Sequence, residues 1–204
     1  RSSKGTVEMG KIYYIMGKSA SGKDTLYHEL LKDKAMDFHR LIPYTTRPVR
    51  SGEKDGEDYF FTDSAGLEAI RKQGRLVELR TYETVFGPWH YFTVDDGQLC
   101  LAKYDYLVIG TLESYCSLRQ YFGADKLVAL LIELDDGLRL QRALDRERVQ
   151  KEPKYAEMCR RFLADTQDFS EEKIQEAGIV RRFQNENLQV CLTQLKTYIR
   201  STRG

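Results

Sequence analysis

After Lys11, apolar positions run uninterrupted through residues 12–16 (IYYIM) and stop at Gly17. A short β-favouring run of that length predicts a strand. Between Asp24 and Lys34 the period changes, with Leu26, Leu30 and Leu31 at helical spacing, so the opening reads strand, glycine loop, helix. Residues 106–109 (YLVI) and 127–134 (LVALLIEL) are further apolar runs of the kind found in strands covered on both faces, each beside a helical pattern. Alternation of this sort predicts an α/β fold, with helices layered against a parallel sheet.

Between these runs, over residues 44–93, the texture changes to short aromatic stretches punctuated by glycine: YFF at 59–61, LVEL at 76–79 and YFT at 91–93. They predict a small β-rich insert. From 137 to 170 arginines and acids alternate with leucines in a helical pattern broken at Pro153, and Leu188, Leu192, Leu195 and Ile199 mark one face of a closing helix after Asn187. No repeat, low-complexity tract or linker divides the chain. The expected organisation is one unit over 9–204: a core of 9–43, 94–136 and 171–204, the insert at 44–93 and a helical lid at 137–170. Residues 1–8 (RSSKGTVE) are read as a disordered tail or expression scar ahead of Met9.

Composition narrows the function. With 41% hydrophobic and 31% charged residues among 204, the chain can close a core and keep a polar surface. Thirty-two Lys+Arg against 31 Asp+Glu leave a formal charge of +1, which argues against a protein that coats a nucleic acid polymer or an anionic membrane. Any basic function is therefore local. No apolar stretch approaches the roughly 18 residues of a membrane helix, and the expected location is cytoplasmic. Cys100, Cys116, Cys159 and Cys191, with histidines at 28, 39 and 90, have neither zinc-site nor disulfide-framework spacing.

The loop Gly17, Lys18, Ser19, Ala20, Ser21, Gly22, Lys23, followed by Asp24 and Thr25, fits G-x-x-x-x-G-K between a strand and a helix. In that pattern backbone N–H groups cradle a polyphosphate, the lysine reaches its outer phosphates, and the helix N-terminus adds partial positive charge. The position after the lysine, usually Ser or Thr, is Asp24; a carboxylate is a hard oxygen ligand suited to Mg²⁺, and its rival role is to cap the helix.

About twenty residues on comes T-T-R-x-x-R-x-G-E-x-x-G-x-D-Y, carried by Thr45, Thr46, Arg47, Arg50, Gly52, Glu53, Gly56, Asp58 and Tyr59. Two arginines at i and i+3 beside a tyrosine hydroxyl offer forked, charge-assisted donors to a phosphomonoester. With the phosphate loop before it, this string resembles the guanylate kinase family, and the similarity runs from Met9 over essentially the whole chain. The resemblance implies a P-loop three-layer α/β/α fold with an acceptor-binding insert and a helical lid, and transfer of the γ-phosphoryl group of Mg-ATP to GMP. It implies that residues 17–25 and Asn185 bind ATP, that Asp24 ligates Mg²⁺, and that Arg47, Arg50 and Tyr59 hold the acceptor phosphate with Glu53 supporting the arginines. Glu78 stands where relatives read guanine N1–H and N2–H₂.

Four contact positions depart from the family pattern: Pro43 for a serine, Thr111 for an aspartate, Phe86 for a tyrosine and Pro88 for a serine. Thr111 retains one donor and one acceptor for the base. The resemblance places lid arginines at Arg142, Arg146 and Arg161, with Arg148 or Arg160 as substitutes if the register slips near Pro153; with Lys23 and Arg47 they form the catalytic set. The expected partners are small nucleotides, without nucleic acid polymer or membrane, in a monomer or homodimer. Two other readings stay open: a P-loop kinase for another phosphomonoester, such as a ribose bisphosphate, and an inert phosphopeptide-binding module.

Overall fold

The computed structural model describes residues 9–84 and 86–203; the tail expected at residues 1–8 lies outside the described residues. In chain order the elements are β1 (Ile12–Met16), α1 (Lys23–Lys32), β2 (Phe38–Arg40), β3 (Tyr44–Thr45), β4 (Phe60–Phe61), α2 (Ser64–Lys72), β5 (Leu76–Thr84) and β6 (Gly87–Val94). They continue with β7 (Asp105–Gly110), α3 (Leu112–Phe122), β8 (Leu127–Glu133), α4 (Asp136–Arg148), α5 (Tyr155–Asp168), α6 (Glu171–Glu176), β9 (Arg182–Gln184) and α7 (Leu188–Thr202).

Five strands form a wholly parallel sheet in the order β2-β7-β1-β8-β9. Its central strand shows why the apolar runs are unbroken. All five residues of β1 are buried: Tyr13 and Ile15 enter one core with Leu26, Leu30, Leu195 and Ile199, whereas Ile12, Tyr14 and Met16 enter the other with Leu112, Tyr115, Leu118 and Ile174. Helices α1 and α7 therefore cover one face and α3 and α6 the other, giving three layers. Fully burying a leucine such as Leu30 contributes about 1.5–3 kcal/mol.

The second sheet, in the order β4-β3-β6-β5, carries its own small core of Leu67, Phe92 and Val94 under α2. Strands β5 and β6 form an antiparallel hairpin, and α3 lies against β5, tying this sheet to the parallel one. The helical pattern over 137–170 is two helices, α4 and α5, separated at Pro153, where proline interrupts the backbone ladder. Among the described residues no helix is long and apolar enough to cross a membrane, and all four cysteines are free.

Candidate active site

The glycine loop leaves the carboxyl end of β1, where open parallel sheets place their ligands. Gly17 is held so closely by the Ile132 carbonyl that a Cβ could not be accommodated, and Gly22 takes φ 85° with no side-chain cap on α1. The first amides of α1 are thus left without a capping side chain, beside the Lys23 ammonium. Asp24 does not cap the helix: its carboxylate is 75% exposed, lies 3.3 Å from Lys23 Nζ and faces the adjoining cavity. Thr25 is exposed on the first helical turn and does not line that cavity.

The cavity, about 770 Å³, is the meeting place of three parts of the chain. Gly17, Ser19, Lys23 and Asp24 line it from the glycine loop, Glu53, Tyr59, Arg80, Tyr82 and Tyr91 from the second sheet and its loops, and Arg160, Arg161 and Asp165 from α5. Thr111 also lines it; its hydroxyl oxygen accepts from Ser114 N–H and caps α3.

In the segment after β3, Arg47 is 3% exposed. Its Nε donates to the Tyr91 hydroxyl at 3.1 Å and its terminal nitrogens fork onto Glu53 at 2.7 and 2.5 Å, with a further bond to the Pro48 carbonyl. Glu53 also accepts from Arg50 N–H at 2.9 Å, and the Arg47 guanidinium sits over the Tyr59 ring at 5.0 Å. The Arg47 fork, then the Arg50 amide, pull the Glu53 carboxyl down to about 2; Glu53 in turn raises Arg47. Burial raises the Tyr59 phenol. Arg47 therefore stands one layer behind the cavity wall, and Arg50 is exposed outside it.

Glu78 is also behind the wall, its side chain 3% exposed, with Oε1 accepting from Thr93 Oγ1 at 2.9 Å and Oε2 from Arg80 Nε at 3.1 Å. Pro43 lines the cavity, whereas Phe86 is 83% exposed and stacks on Trp89.

Helices α4 and α5 touch the glycine loop directly. Asp165 of α5 accepts from Ser19 N–H at 2.8 Å, and buried Arg139 of α4 donates to the Ser19 carbonyl at 3.0 Å and to Asp165 at 3.0 Å while lying over the Phe162 ring. Arg142 donates to the Asn185 and Glu186 carbonyls at 3.2 and 3.4 Å. The Asn185 side chain donates to the Ser21 carbonyl at 2.8 Å and is 2% exposed; the helix cap is Asn187 instead, accepting from Val190 N–H. Arg160 and Arg161 both bond Glu157, whose carboxyl they lower to about 2, and both face the cavity. Arg146 is exposed and its side chain makes no hydrogen bond with a described residue, and Lys18 turns away toward Asp136 at 3.5 Å.

Sequence reasoning missed Arg80, Tyr91, Arg139 and Asp165. The first two were accessible through the period-two alternation of β5 and β6, which puts them on one sheet face; Arg139 and Asp165 carry no local signal, since their roles come from helix packing.

Residues 9–90 match the family model described as guanylate kinase. The chain is 37% identical over 75 residues to guanylate kinases of Streptococcus agalactiae (serotype III, strain NEM316) and Streptococcus mutans (serotype c), which covers 37% of this chain and 36% of each relative. It thus matches only about a third of those relatives' length. In three dimensions it resembles the crystal structure of guanylate kinase from Anaplasma phagocytophilum with a TM-score of 0.65 at 16% identity, over 96% of this chain and 87% of that one. At that identity the likeness establishes the fold.

Proposed function

From the premise that the family match, the curated relatives and the shared fold support the guanylate kinase family, we propose that the chain transfers the γ-phosphoryl group of Mg-ATP to GMP. The observation that supports this most is the common cavity: Lys23 of the glycine loop, Tyr59 and Glu53 of the arginine-fork segment, and Arg160 and Arg161 of the lid all border it. Two anion-binding segments facing one space suit a reaction between two phosphates.

Phosphoryl transfer needs alignment and charge stabilisation more than covalent help. The triphosphate lies along the glycine-loop amides and Lys23. The acceptor phosphate lies against the Tyr59 and Tyr91 phenols, whose positions Arg47 and Glu53 hold, and Arg50 reaches it from the rim. An acceptor oxygen then attacks the γ-phosphorus in line, displacing ADP without a covalent enzyme intermediate. Arg161 and Arg160, with Arg142 at the loop, supply positive charge around the transferring group, and α5 excludes water that would compete as nucleophile. The Asn185 amide stays with the loop at the adenine end. Asp24 fits Mg²⁺: it is an exposed carboxylate beside the triphosphate lysine, and Mg²⁺ is bound through one or two carboxylates plus substrate phosphates. Held by Asp24, such an ion would supply neutralisation of phosphate charge.

The test is a coupled assay of ADP release with GMP, dGMP, AMP, UMP and sugar phosphates, together with Lys23→Ala. GMP is expected to stimulate turnover most, and Lys23→Ala to lower kcat by about 10²–10³-fold. Stimulation by a sugar phosphate alone overturns the acceptor assignment, and no stimulation by any acceptor overturns the kinase reading.

A further inference from the structure

Strand β5 alternates, so Glu78, Arg80 and Tyr82 share one face, and across the antiparallel ladder stand Thr93, Tyr91 and Trp89. This face borders the acceptor half of the cavity. Tyr91, bonded to Arg47, marks its phosphate end, and Thr93, two residues on and bonded to Glu78, marks the other. A head group attached to an acceptor phosphate at Tyr59 and Tyr91 therefore reaches toward Thr93, Arg80 and Thr111.

Arg80 stands opposite Tyr91 in the ladder, but its Nε is drawn along the strand to Glu78, which also holds Thr93, so its guanidinium is the donor on the Thr93 side. Both Glu78 oxygens are engaged and the carboxylate is withdrawn behind the wall, whereas Arg80 lines the cavity with its side chain 19% exposed. Its Nη1 and Nη2 make no hydrogen bond with any described residue; only Nε is spent, on Glu78. Burial works against the guanidinium charge, but neighbouring Glu78 and Tyr14 leave its pKa raised. Across the cavity Thr111 presents a hydroxyl in place of a carboxylate, and its oxygen already accepts the α3 cap bond.

Resting on the kinase reading above, we propose that Arg80, anchored by Glu78, reads the acceptor's base and selects a 6-oxopurine through its O6 and N7. Two parallel N–H donors match those two acceptors, the bidentate pairing arginine makes with a guanine edge. Adenine turns an amino donor toward the same fork and is rejected. In this pairing Glu78 does not read the 2-amino group, so GMP and IMP are equivalent ligands. Direct reading by Glu78 demands the opposite, because it takes N1–H and N2–H₂ and loses half its contacts with IMP. Glu78 is then a positioning residue.

The experiment measures equilibrium binding of GMP, IMP and AMP to the unaltered chain by calorimetry, and repeats it on Arg80→Lys, Glu78→Gln and Glu78→Ala. IMP is expected within about threefold of GMP, with AMP weaker by about tenfold or more, the worth of one bidentate base contact. Arg80→Lys, which keeps the charge beside Glu78 but loses the fork, weakens GMP and IMP equally. Glu78→Gln retains acceptor oxygen for Arg80 and restores binding that Glu78→Ala loses. GMP binding about tenfold or more tighter than IMP, or an Arg80→Lys variant with unchanged affinity, overturns the proposal while the kinase reading stands. Binding of neither purine monophosphate overturns both.

Discussion

At the residue scale the chemistry turns on which polar groups are already satisfied. Arg47 is the residue the sequence makes most conspicuous, yet four of its five N–H donors are committed to Glu53, Tyr91 and Pro48. Its role is to fix the groups in front of it. Because Glu53 is held at about 2, it is fully ionised above the ordinary glutamate range near 4.3, and its contribution is lost only as pH falls from there through about 2. Between pH 5 and 8, acceptor KM should therefore follow the substrate phosphate's own second ionisation, near 6 for a phosphomonoester. Glu53→Gln is expected to raise the GMP KM across that range without moving the inflection. A pH–KM profile whose inflection shifts by a unit in the variant would count against this.

At the element scale helices α4 and α5 hold their arginines in opposite ways. Arg139 of α4 is 1% exposed and tied to Ser19, Asp136 and Asp165, whereas the Arg161 side chain on α5 is 60% exposed and paired with Glu157 alone. Removing one partner of a buried ion pair costs about 3–5 kcal/mol, and an exposed helical pair contributes about 0.3–0.5 kcal/mol. Arg139→Ala should therefore lower the urea midpoint strongly, whereas Arg161→Ala should leave the midpoint nearly unchanged and lower kcat by tenfold or more, about 1.4 kcal/mol of transition-state stabilisation. Equal stability losses would erase the distinction.

What could be read in advance at this scale follows from the same contrast. The strand, loop and helix at residues 11–34 announce themselves by period, and the apolar run at 127–134 ends as a strand at Glu133. The closing helix shows the leucine stripe and the Asn187 cap. The contact between Asp165 and the Ser19 amide joins residues 146 apart in sequence, and nothing local marks it. Arg80 sits midway: its charge on a half-buried strand looks like a solvent-facing residue until the hairpin register sets it beside Glu78 and opposite Tyr91.

At the scale of the whole molecule, a three-layer core brings the glycine loop to the carboxyl edge of its sheet, and a second sheet and two helices enclose the space in front of it. The account requires that one ligand can occupy both phosphate sites at once. Adenosine and guanosine joined by a polyphosphate bridge of variable length tests this most directly, through inhibition kinetics against each substrate separately. The account predicts competition with both ATP and GMP, and binding tighter than either nucleotide alone at the best bridge length. Competition with only one of them, at every bridge length tried, would contradict it.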